Sequence, residues 1–386
     1  MGRTQCRWRQ QILFYPETRP MSKQAFLSVI GVVFLLFSCV NPEKEFHSLD
    51  FSGVDQFLEI TAALETDKDP GPADWETLFE TPGYSMLTQS EFEREFFMES
   101  FRLVFMPSRQ EELQKRLDEE KNRPPHFRFL HHYLNVKQHR QEVADFSDSL
   151  RVNAGELLDQ SAEMARKYLP AMQTEGYIPV SFVVFANDAR GYTPVVIDVF
   201  FAMELGGKLH YLIAHELHHF YRNQILTFDR DHIGPADADI VWVIDQIHAE
   251  GVADQIDKRV LISGEDGPMH DMADRWEEMV AEAPVFLKRM NEALDGVAAG
   301  YEGMDDAGSR LREILPMSGH PVGFYMTNLI IRKLGKEKLI EQTGNPFAFF
   351  RLYNQAAQQA TSGDPPVLSA GAMEVIGELE SRYVSR

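Results

Sequence analysis

The chain has 386 residues, enough to bury a sizeable core, and a formal net charge of −21 from 59 acidic against 38 basic side chains. A surface this acidic argues against nucleic acid and against docking on anionic lipid head groups. There is no phosphate-binding loop, no internal repeat and no low-complexity tract.

Residues 1–20 read as an extension ahead of a true start at Met21. From there, Met21-Ser22-Lys23 and the apolar run over 25–37 form a signal peptide pattern: one basic residue, then an apolar core too short to span a bilayer comfortably. The run ends Leu36-Phe37-Ser38-Cys39, which resembles a lipobox. That resemblance implies removal of 21–38, lipidation of Cys39, and an exported bacterial lipoprotein anchored in a membrane. Val40-Asn41 brings no aspartate after the cysteine, which favours the outer membrane over the inner. Cys6 is lost with the extension and Cys39 is lipidated, so the mature chain keeps no disulfide and no thiol to ligate metal. The removed segment is basic, which leaves the mature chain more acidic still.

After a tether over 39–50, helical periodicity runs from 51 to 170, with segments at 54–64, 90–104, 109–122, 127–136 and 154–168. Pro and Gly at 69–73 and Pro124-Pro125 mark turns. His131-His132 reads as a surface pair rather than a set of ligands. Strand signals are confined to 179–185 and 194–200, two β-branched and aromatic runs with a turn over 187–191 between them. They predict a small sheet just before the next helix, with an edge that could pair with an extended peptide. Phe201-Ala202-Met203-Glu204 looks like an aminopeptidase motif, but it lies too near His215 and reads as a helix start.

The next segment, 211–220, holds His215-Glu216-Leu217-His218-His219 among good helix formers, with no Gly or Pro. At i and i+4 of a helix, His215 and His219 project from one face a turn apart and can grip one Zn2+. Glu216 is placed to act as general base on the water such a metal activates. Catalytic zinc usually takes three protein ligands, so a third is needed. A loop over 227–238, broken at Gly234-Pro235, leads to a second helix over 237–257 with apolar residues at helical spacing. It carries His248-Ala249-Glu250-Gly251-Val252-Ala253-Asp254. His248 is a rival ligand, but two positions from Glu250 it faces roughly the opposite side of the helix. A solvated acidic face is the other reading of Glu250 and Asp254.

This arrangement resembles the gluzincin clan of zinc metallopeptidases, in which a glutamate on the helix after His-Glu-x-x-His completes the site. The resemblance implies Glu250 as third ligand to a single zinc ion. It implies Asp254, one turn on, as the carboxylate that hydrogen-bonds the first histidine and fixes its tautomer. Gly251 would let the two helices approach closely. The spacing departs from the best-known members, since Glu250 follows His219 by 31 positions. A more specific resemblance covers most of the mature chain. Trp75-Glu76-Thr77-Leu78-Phe79-Glu80-Thr81-Pro82-Gly83-Tyr84, the motif helix, the run from Gly319 to Met326, that from Leu334 to Glu341, and Pro346-Phe347-Ala348-Phe349-Phe350 are similar to a family of bacterial lipoproteins described only as zinc-dependent peptidases.

From Pro268 onward the pattern is helical again, and Ser318-Gly319-His320-Pro321 is a helix start with proline at the first position. His320 and Tyr325 are candidates for the donor that stabilises a tetrahedral oxyanion. The chain is therefore expected to be α+β and predominantly α-helical. A zincin-like core over 171–260, with a small β-sheet preceding the motif helix, would lie between helical regions at 51–170 and 261–386. The expected activity is peptide hydrolysis with a peptide or protein substrate. The alternative is a non-catalytic surface lipoprotein that binds peptide or glycan, its zinc site structural or vestigial.

Overall fold

A computed structural model describes residues 49–384 apart from 123–127, 172–175, 263–268, 270–271 and 361–364. The signal-like segment and Cys39 lie outside that range. Most described residues are helical and the strands form a single four-stranded sheet, so the class is the predominantly helical α+β one expected. The chain forms two compact units that are interleaved in sequence. The first holds the described residues up to Ser147 together with Pro179–Phe201, and the second holds Asp148–Ile178 together with the residues from Ala202 on. Boundaries near 170 and 260 do not coincide with this division.

The reason for the interleaving lies in the strands. In the first unit β1 (Leu49–Asp50), β2 (Val180–Val183), β3 (Ala189–Arg190) and β4 (Val195–Asp198) lie in the order β1-β2-β4-β3. Every residue of β2 and β4 is buried, so both faces of these strands need cover. Helices before Ser147 supply cover: α1 (Ser52–Leu64) packs on β2 and α3 (Pro82–Ser90) on β2 and β4, and α2 (Pro72–Glu80), α4 (Arg94–Phe105), α5 (Gln110–Glu120) and α6 (Phe129–Gln138) pack among the helices of this unit. Gly53 and Gly83 press their backbones on Val183, where a Cβ would lie 2.7 Å and 2.5 Å from its Cγ1. Tyr84 and Tyr133 donate to the Val184 and Phe185 carbonyls at 2.7 and 2.8 Å. The two apolar runs are parallel to each other, and the segment between them supplies β3, antiparallel to β4. One member of the expected surface pair is buried instead. His132 Nε2 lies 2.9 Å from Asp198, whose two carboxylate oxygens also accept from the Phe185, Phe200 and Phe201 amides. That fully buried carboxylate ends β4, and a buried imidazole is one of its four donors.

The chain leaves the first unit within α7 (Arg140–Val152), forms α8 (Ala154–Arg166), and enters the second unit for good within α9 (Val199–Leu205). The second unit continues with α10 (Leu209–Gln224), α11 (Ala238–Leu261), α12 (Ala273–Ala298), α13 (Met304–Ile314), α14 (His320–Leu334), α15 (Lys336–Ile340), α16 (Pro346–Gln358) and α17 (Ala370–Tyr383). Its axis is α11, buried on nearly every side, with polar as well as apolar side chains taken into the interior. Ile240, Ile244, Ile247 and Val252 share one core with Leu287, Met290, Leu311, Val322, Ile330 and Phe350.

Glycine sets the closest helix approach. A Cβ on Gly251 would sit 2.3 Å from the Gly323 carbonyl carbon, and one on Gly323 would sit 2.0 Å from the Ile247 oxygen. Gly251 therefore brings α14, not the motif helix, against α11. The turn into α14 is left-handed at three successive residues, Met317 (φ 41°), Ser318 (φ 51°) and Gly319 (φ 99°). Such a backbone costs roughly 1–2 kcal/mol at each non-glycine residue. The turn is packed on α11, where a Gly319 Cβ would come within 3.0 Å of the Ile247 amide. Together the turn and the glycine contact present the first residue of α14, His320, to α11.

Candidate metal centre

The site lies wholly within the second unit, on α10, α11 and the first turn of α14. From α10, His215 and His219 point their Nε2 atoms at each other, 3.0 Å apart. From α11, Glu250 brings Oε2 to 3.2 Å from His215 Nε2 and 3.1 Å from His219 Nε2. These three atoms form one of two metal-capable groups among the described residues. Tetrahedral zinc with bonds of about 2.0–2.1 Å would hold its ligands roughly 3.4 Å apart, close to the spacing seen. The donor chemistry fits as well. Two imidazole nitrogens and a carboxylate oxygen facing one point repel as lone pairs unless protons or a cation lie among them, and N, N, O is a catalytic zinc donor set.

The second group is His215, Asp254 and His320. Its geometry corrects one expectation. Asp254 stands 3.7 Å from His215 Nδ1 and instead accepts from His320 Nδ1 at 2.9 and 3.1 Å. The bond that orients His215 comes from Asp257, which accepts from Nδ1 at 3.1 Å. Glu250, Asp254 and Asp257 follow one another at i, i+4 and i+7, so α11 turns all three acids toward the site. Sequence reasoning missed Asp257; a third acid at i+7 on the same stripe was the available signal. Lys258 was missed too. Its ammonium donates to Asp257 Oδ2 at 2.7 Å and stands 3.6 Å from Asp254 Oδ1. With that charge already beside Asp254, the second group is a poor cation site, and its members serve better as hydrogen-bond partners.

The other named residues fall into place around this centre. Glu216 is half-buried on α10 beside His215, and among the described residues no group pairs with its carboxylate. His320 also comes within 3.4 Å of Glu250 Oε2, and its ring stacks near that of His215 with centroids 5.8 Å apart. Tyr325 is not among these groups. It packs half-buried on the apolar core of the unit, because five residues after His320 a helix has turned by roughly 140°. The rival His248 is fully buried and engaged elsewhere, accepting from the Arg222 guanidinium at 3.0 Å and packing on Phe349. His232 is exposed and paired with Asp229 at 2.6 Å.

Charge follows the geometry. Burial would lower the pKa of His215, but Asp257 and then Glu250 outweigh it and hold it well above the ordinary value. Burial likewise opposes the charged forms of His320 and Glu250; Asp254 and Glu250 raise the former, while His320 and His219 hold the latter well below the usual carboxylate range. Burial also works against Asp257, yet Lys258 and His215 keep it ionised, and the same pairing raises Lys258. His218 contrasts with them. Burial and the neighbouring His219 lower it to about 3, its Nδ1 donates to the Ala165 carbonyl, and it stays neutral.

No curated protein and no solved structure matches the chain. One family does, over residues 75–362, under the description "Putative zinc dependent peptidase (DUF5700)". The match takes in α10, α11 and the start of α14, with every residue of the metal-capable groups. The chain belongs to this family.

Proposed function

We propose that the second unit is the catalytic part of a zinc metallopeptidase that binds one zinc ion through His215, His219 and Glu250. The observation that carries this reading is the convergence of their three donor atoms within 3.2 Å of one another, with Glu216 unpaired beside them. When bound, zinc supplies Lewis acidity: it polarises a substrate carbonyl and makes water acidic enough to lose a proton near neutral pH. Glu216 takes that proton and can deliver it to the leaving amine. Asp257 keeps the proton of His215 on Nδ1, so that Nε2 offers its lone pair. His320, held by Asp254, is the donor available to a developing oxyanion, and Tyr325 has no part in this reading. The family supports peptide bonds over other acyl groups, with a peptide or protein as substrate. The lipobox-like run ending at Cys39 supports work outside the cytoplasm on a lipid-anchored chain, in the outer membrane by preference.

The purified protein is expected to hold one zinc ion and to cleave a peptide library. Glu216→Gln should keep the zinc and the thermal stability while losing turnover by about 10²-fold or more. Wild-type protein that binds zinc but cleaves nothing would leave the peptide- or glycan-binding reading in its place. Protein without zinc would sink the peptidase reading.

A further inference from the structure

Among the residues around the site, Lys258 has no part in the proposed zinc chemistry, yet it touches both of the carboxylates that hold histidines. Asp254 and Asp257 are three residues apart on α11 and neither is exposed to solvent. Two ionised carboxylates that close, away from water, repel each other, and one would turn away or take up a proton unless a cation stood beside them. The ammonium of Lys258 stands 2.7 Å from Asp257 Oδ2 and 3.6 Å from Asp254 Oδ1. Asp257 divides its oxygens, Oδ2 to Lys258 and Oδ1 to His215 Nδ1. Asp254 directs both of its oxygens at His320 Nδ1. The lysine side chain is itself only 15% exposed, so solvent screens these contacts weakly.

We propose that Lys258 is a positioning residue of the metal centre. It holds the two buried carboxylates in the arrangement that orients His215 toward the metal and sets His320 beside it. The proposal rests on the zinc reading of His215, but its main readout is metal affinity, which is independent of turnover. Lys258→Met keeps the length of the side chain and removes the charge. Its affinity for Co2+ and for Zn2+, measured by chelator competition, should fall about tenfold, the low end for an outer partner of a ligand. The visible absorption of bound Co2+ should change with it, since His215 is no longer held. Lys258→Arg, which keeps the charge, should restore most of the affinity and the spectrum.

The lysine acts on His215 through Asp257, so its effect should shrink once that carboxylate is neutral. Asp257→Asn/Lys258→Met should bind Co2+ within about threefold of Asp257→Asn alone. This double variant also decides the matter if Lys258→Met does not fold. Unchanged affinity and Co2+ spectrum in folded Lys258→Met would overturn the proposal, as would a further tenfold loss in the double variant. If the wild type binds Co2+ and Zn2+ but hydrolyses no peptide, the peptidase reading fails while these arms still decide the role of Lys258. A wild type that binds neither metal removes both.

Discussion

At the scale of single residues, the two aspartates of α11 have separable duties. Asp257 orients a proposed ligand and Asp254 orients His320. Asp257→Asn should therefore weaken zinc on the order of 10–100-fold, the usual effect of removing a carboxylate behind a ligating histidine. Asp254→Asn should cost turnover with a much smaller loss of zinc. Competition titration and peptide cleavage on the same samples would show the split, and equal losses of zinc in both variants would refute it. Acid stability depends on a different histidine. His218 is neutral in the fold with a pKa of about 3 but titrates near 6.5 when unfolded. A pKa lowered by folding gives stability that is complete above the unfolded value and declines as pH falls toward the folded one. Between pH 7 and pH 5, wild type should lose roughly 2 kcal/mol relative to His218→Gln, read by urea unfolding at the two pH values. A constant difference between the two proteins would refute the assignment.

At the scale of elements, the site depends on how closely α14 approaches α11. No side chain fits between Gly251 and Gly323, where an added Cβ would fall 2.0–2.7 Å from the backbone of the facing helix. Gly323→Ala should destabilise the protein by about 3 kcal/mol, the upper end of overpacking, because backbone cannot move aside as a flexible side-chain end can. It should also draw His320 away from Asp254. Gly155→Ala is the control: nothing lies within 4 Å of its Cβ position on α8, and it should gain about 0.5–1 kcal/mol. Thermal unfolding of the pair checks both, and an equal response would show that the close approach carries no energetic weight. Good helix formers without Gly or Pro over 211–220, and apolar spacing over 237–257, made α10 and α11 readable. What Gly251 packs against was not readable, because a glycine signals a close approach without naming the partner.

At the scale of the whole molecule, the acidic composition and the lipobox-like run point the same way. A chain that anionic membranes repel would need a covalent lipid to stay at one. Expressed with its own signal in a diderm bacterium, the protein should partition into detergent and incorporate labelled fatty acid, and Cys39→Ser should abolish both. Wild-type protein that stays in the aqueous phase would refute lipid anchoring. The molecule also shows the limit of reading regions from consecutive sequence. Residues 179–201 were expected to join the zinc-binding region but group with the N-terminal helices, because β2 and β4 are buried along their whole length and α1 and α3 pack on them.

What the sequence determined by itself was whatever depends on short spacings. A His-Glu-x-x-His on a helix puts two imidazoles on one face, and an acid stripe at i, i+4 on the next helix puts carboxylates on one face. Those spacings singled out His215, Glu216 and His219, and the gluzincin resemblance implied Glu250; the donor atoms of His215, His219 and Glu250 converge in the fold. The tertiary structure decided everything that depends on which faces meet. It made Asp257 rather than Asp254 the partner of His215, seated His320 at the site and Tyr325 in the core, and buried His132 on Asp198. The physical reason is that helical phase is local, whereas the azimuth at which α14 meets α11 is set by a glycine contact between residues 72 positions apart and by a left-handed turn that has no periodic signature.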